Sequence, residues 1–143
     1  MASSGHNKRR IPTPVVPDKD TRFLKFSLKY LDIGSSIFGL HECSNDFLIA
    51  LLLKIKEYSS WPLDMFMDPN NEEFRHQIHF PDTSCPGGFT NVNLEQLAWE
   101  EAWQFGLASR GDWQKGGWRV HGILLDDTFF VIWLDPNHVL YPL

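Results

Sequence analysis

A chain of 143 residues, 43% hydrophobic and 14% aromatic, can bury one core of ordinary size, and the expected division is a flexible tail over residues 1–20 and a single domain over 21–143. Residues 1–30 carry seven Lys/Arg against two acids and residues 31–143 six against sixteen; so acidic a body argues against a generally nucleic-acid-binding surface, since phosphate contacts depend on Lys and Arg, and leaves room for a local site. No apolar run approaches the roughly 18 residues of a membrane span, no apolar segment near the N-terminus suits a signal peptide, and Cys43 and Cys85 form no CxxC, so a cytoplasmic protein without membrane association or a disulfide framework is expected.

The tail holds Pro12, Pro14, Pro17 and the basic run Lys8-Arg9-Arg10, with no face to bury. From residue 24 the pattern changes: Leu24, Phe26, Leu28 and Tyr30 alternate with Lys25, Ser27 and Lys29, which predicts a strand near a sheet edge with one wet side. After Gly34-Ser35-Ser36, Ser44 is placed to cap a helix through Tyr58. Its stripe comprises Phe47, Leu48, Leu51, Leu52, Ile55 and Tyr58; Ile49 and Leu53 are apolar too, which predicts packing on more than one side. Pro62 then opens a short second helix ending by Met67.

The middle of the chain is irregular. An Asn-capped turn over 70–77 leads into Arg75-His76-Gln77-Ile78-His79, where Arg75 and His79 would share a side if extended. Pro86-Gly87-Gly88 is a turn or open loop, and Asn93 with Gln96 has the form of a capping box before a short helix. Trp103, Phe105 and Leu107 mark a strand, and the glycine-rich stretch 110–117 delivers the chain into its last elements.

Those last elements organise the rest. Residues 118–125 and 128–135 are rich in strand formers and flank Asp126-Asp127, the composition of an antiparallel hairpin. With a two-residue loop, Leu125 faces Thr128, Ile123 faces Phe130, His121 faces Ile132 and Arg119 faces Leu134. Both sides are largely apolar, so the hairpin is expected at the centre of the sheet. Arg119 and His121 stand out in it. Their bland reading is pairing with an acid or a backbone carbonyl, and Asp135-Pro136-Asn137-His138 is a turn sequence in its own right. The functional reading gathers Arg119, His121, His138 and Tyr141 as catalytic groups, with Arg75, His79 and Trp118 binding substrate. His76, His79, Cys85 and His121 are metal-ligand types, but the i,i+3 histidine pair lacks a second well-spaced pair, so neither metal nor cofactor is expected.

The predicted class is α+β, a mainly antiparallel sheet with two or three helices packed on it. The KFSLKYLD-like strand, the WQF segment and the RVHG…WLDPNHVLYP-like ending resemble a set of uncharacterised bacterial proteins of similar size. The layout, an early strand, two helices and a sheet ending in a basic and aromatic segment, is also similar to the RelE/ParE superfamily of bacterial toxins. That resemblance implies an endoribonuclease acting on messenger RNA at the ribosome, with Arg119 supplying charge, His121 or His138 moving a proton and Tyr141 stacking on a base. It also implies an antitoxin partner. The alternative is a non-enzymatic interaction module of a regulatory or defence system.

Overall fold

The fold is that of a computed structural model describing residues 20–68, 75–89, 101–107 and 117–141. The expectations for the tail, the turn at 70–74, the helix after Asn93 and the loop over 110–116 fall outside these residues. Five strands form one sheet: β1 (Lys25–Ser27), β2 (His76–Gln77), β3 (Ala102–Gly106), β4 (Arg119–Leu125) and β5 (Thr128–Asp135). Helices α1 (Asn45–Tyr58) and α2 (Leu63–Met67) lie between β1 and β2 in the chain. The spatial order is β1-β5-β4-β3-β2. Three neighbouring pairs are antiparallel, but β1 runs parallel to β5. The class is therefore α+β with a mixed sheet.

Local chemistry explains the boundaries. Leu28–Tyr30 is not strand despite its alternation: the Ser27 hydroxyl accepts the Lys29 N–H at 3.1 Å and Leu31 N–H returns to Leu28 O at 3.0 Å, a side-chain-supported turn that competes with the ladder. β1 is thus short, and it lies at the edge that its lysines suggest. Lys25 reaches Asp127 at 3.0 Å and Arg22 pairs with Asp126, tying the start of the domain to the hairpin turn. Asp126 takes φ 59°, the left-handed conformation that Asp tolerates at a tight turn. Ser44 caps α1 by accepting Phe47 N–H at 3.1 Å.

The sheet is buried on both faces. On one, Phe47, Ala50, Leu51 and Tyr58 of α1 and Phe66 of α2 meet Trp103, Phe105, Val120, Leu124, Phe129, Val131 and Leu134. On the other, no α-helix among the described residues takes part; Phe38, Ile78, Phe89 and Leu140 from connecting segments cover Ile123, Ile132 and Trp133. Phe38 stacks on Trp133 with centroids 4.5 Å apart. Only one side of α1 is packed: Ile49, Leu52 and Leu53 are exposed, which corrects the expectation of burial on several sides. No helix among the described residues is long and apolar enough to cross a membrane.

The hairpin register is the expected one from Leu125↔Thr128 to Gly122↔Val131 and then slips. His121 lies opposite Trp133 and Arg119 opposite Asp135, because Ile132 is an extra residue in β5, a β-bulge. Ile132 and Trp133 consequently both join the helix-free core. Gly122 makes room for the bulge: a Cβ there would collide with the Phe130 carbonyl oxygen and lie 2.6 Å from the Phe129 ring.

Candidate functional site

The bulge decides which residues meet. In an unbulged ladder Asp135 would point to the helix side; with one residue inserted it takes the face of Arg119 and His121. His121 Nε2 lies 3.0 Å from Asp135 Oδ2, with both side chains 1% exposed. The same carboxylate accepts Val139 N–H on Oδ1 at 2.9 Å and Leu140 N–H on Oδ2 at 3.0 Å. It therefore closes the turn through Pro136, Asn137 and His138, where His138 adopts φ 57°, and fixes the chain end against the sheet.

Burial holds the His121 pKa below the ordinary histidine value, although the hydrogen bond and charge of Asp135 work the other way. For Asp135, burial opposes ionisation, yet the bonds from His121, Val139 and Leu140 leave its pKa below the usual carboxylate value. The pair is thus a neutral imidazole donating Nε2–H to a carboxylate. His121 Nδ1 has no hydrogen-bond partner among the described residues. Arg119, buried, has its pKa lowered chiefly by burial, with Asp135 opposing, and donates from Nη1 to Trp118 O at 3.1 Å. His138 is close enough to His121 to disfavour its protonated form.

A second group lies at the surface on the same helix-free side. Tyr141 Oη accepts the backbone N–H of His79 at 3.0 Å, and the His76 ring meets the Tyr141 ring edge-on with centroids 5.7 Å apart. His79 Nδ1 lies 2.9 Å from Asp82 Oδ2, brought there by the 3-10 turn Phe80–Asp82 that follows it, a geometry that stacks i over i+3. The carboxylate selects the tautomer with hydrogen on Nδ1. The lone pair of His79 Nε2 is then left to solvent, with the side chain 72% exposed. His76 is tied up instead: Gln104 Nε2 is 2.9 Å from its Nε2 and Gln77 O is 2.8 Å from its Nδ1.

Five of the seven expected site residues, Arg119, His121, His138, Tyr141 and His79, lie on this side, in a buried group and a surface group. Arg75 and Trp118 do not join them. Arg75 is buried on the helix side, its guanidinium 4.7 Å from the Trp61 ring centroid and 5.6 Å from that of Phe66, with Nε donating to Phe66 O at 3.1 Å. Trp118 packs on Phe47, ring centroids 5.4 Å apart. Asp82 and Gln104 had no place in the sequence-based site, and Asp135 entered only as a turn residue. The His79-x-x-Asp82 spacing around Pro81 was the available signal for the surface pair.

Among the described residues no group of three or more His, Cys, Asp or Glu side chains is arranged to hold a metal ion. The Cys43 thiol is pushed up to about 11 by burial and by Glu42, which suppresses the thiolate needed for nucleophilic chemistry. Among the described residues, the surface group sets an oriented imidazole with an open nitrogen beside a phenol. No protein-family model matches the chain, and no curated protein or solved structure matches it.

Proposed function

We propose that this is a toxin-like protein of a bacterial toxin–antitoxin or mobile-element system, with a RelE/ParE-like layout, that cleaves RNA on the helix-free side of its sheet. The observation that carries the reading is the Asp82–His79–Tyr141 cluster. A carboxylate orients an imidazole whose other nitrogen faces solvent, and a phenol is bound to the same residue. In this reading His79 Nε2 takes the proton of a ribose 2′-hydroxyl, the 2′-oxygen bonds to phosphorus, the bond to the 5′-oxygen breaks, and Tyr141 donates a proton to that departing oxygen. A 2′,3′-cyclic phosphate is left. The buried His121–Asp135 pair then acts by positioning, since it holds the segment carrying Tyr141. The order of elements, one strand, two helices and four strands with the first beside the last, supports the layout. An antitoxin and the ribosome are the partners this reading implies.

Controlled expression in a bacterial host tests it. The wild type is expected to arrest growth and fragment messenger RNA, and His79→Ala and Tyr141→Phe to relieve both. Undisturbed growth with intact messenger RNA would overturn the nuclease reading. A second reading, a non-enzymatic interaction module, is favoured by the acidic balance after residue 30 and by the exposed aliphatic side chains of α1.

A further inference from the structure

The outward side of α1 carries Ile49, Leu52 and Leu53, exposed by 56%, 67% and 62%. They stand opposite the buried Phe47, Leu51 and Tyr58. The three aliphatics fall on one stripe of about 100° at the helical repeat of 3.6 residues. Asp46 continues that stripe toward the N-terminus and Lys56 toward the C-terminus, and both are exposed. The spacing 46, 49, 53, 56 alternates steps of three and four, the seam along which helices pair.

The stripe is also self-complementary. Positions 46 and 56, and 49 and 53, are symmetric about position 51. If a second α1 lies antiparallel across this midpoint, each Asp46 meets the other copy's Lys56, each Ile49 meets the other copy's Leu53, and the two Leu52 side chains flank the axis. A parallel arrangement would set like charges against each other. The antiparallel one also opposes the helix dipoles favourably, acid near the N-terminus and base near the C-terminus of each. A two-fold axis requires such a self-matching surface.

We infer that the protein forms a two-fold dimer through antiparallel packing of α1 on α1, with Ile49, Leu52 and Leu53 in the seam and Asp46–Lys56 pairs at its ends. The contact is on the opposite side of the sheet from His79 and Tyr141, so it leaves that surface open in both copies. Three aliphatics per copy make a small interface, and a dissociation constant in the micromolar range is expected.

Sedimentation velocity on the full chain over a wide range of concentration, with helicity checked by circular dichroism, is the test. The wild type should pass from monomer to dimer, and Leu53→Asp should stay monomeric with unchanged helicity. Asp46→Lys alone and Lys56→Asp alone should each weaken the dimer roughly tenfold, since each places two like-charged pairs at the seam. An equimolar mixture of those two variants should restore dimerisation, because in the mixed dimer both end pairs are again opposite in charge. A wild type that stays monomeric at every concentration, or a mixture that dimerises no better than its components, would overturn the inference. A dimer that persists in Leu53→Asp would do so too.

Discussion

Asp135→Ala should be among the most damaging single substitutions in the described part of the protein. The carboxylate receives three donors, His121 Nε2–H, Val139 N–H and Leu140 N–H, and it is 1% exposed. Leaving a buried donor without an acceptor costs about 1–3 kcal/mol, and removing one member of a buried network about 3–5 kcal/mol in total, because the losses are not additive. We expect a loss of about 4 kcal/mol, or a fall in Tm of about 10–15 °C for a chain of this size. Asp135→Asn is the graded control. Turned so that its carbonyl oxygen occupies the Oδ2 position, the amide keeps His121 and Leu140 and loses only Val139, a cost of about 1–3 kcal/mol. Urea unfolding followed by tryptophan fluorescence measures both. Asp135→Ala within about 1 kcal/mol of wild type, or an Asn variant as unstable as the Ala variant, would refute the clamp.

Gly122→Ala should cost about 3 kcal/mol, because its methyl would meet the Phe130 carbonyl inside the bulge; a loss below about 0.5 kcal/mol in the same assay would mean the ladder accommodates a side chain there. The His121 pKa is lowered on folding, so below about pH 6.5 the unfolded chain binds a proton that the folded one resists. This contribution to stability is complete above that pH and is lost as pH falls toward the folded value, at no more than about 1.4 kcal/mol per pH unit. Tm should therefore decline from pH 7 to pH 5, and His121→Gln should flatten the decline; a wild-type Tm that rises on acidification would contradict the sign.

Much of the scaffold was legible because it rests on local signals. Ser44 announced the start of α1, Pro62 the short second helix, and the composition around Asp126-Asp127 the hairpin. The bulge was not legible. Val131, Ile132, Trp133 and Leu134 are all apolar, and a strand buried on both faces gives no alternation from which an inserted residue can be read. Its visible trace was Gly122, a residue with no side chain in a run of large ones. The slip set Asp135 opposite Arg119, and with that the clamp on the chain end. The parallel placement of β1 was hidden for another reason: pairing between elements about a hundred residues apart leaves no local mark. Arg75 and Trp118 were misplaced because a cationic and an aromatic side chain suit either a binding site or a stacked core, and only the positions of Tyr58, Trp61, Phe66 and Phe47 decide between them.

The measurement that tests the account most directly is cleavage of a defined messenger RNA on translating ribosomes by the purified full chain, with the product ends identified. The account predicts 2′,3′-cyclic phosphate ends, and a loss of about 100-fold or more in rate for His79→Ala and for Tyr141→Phe. Asp82→Asn should lie between these and the wild type, because the imidazole remains but its orientation is weakened. All variants should unfold at the wild-type urea concentration. RNA left intact by the wild type, or cleaved by all three variants at the wild-type rate, would contradict it.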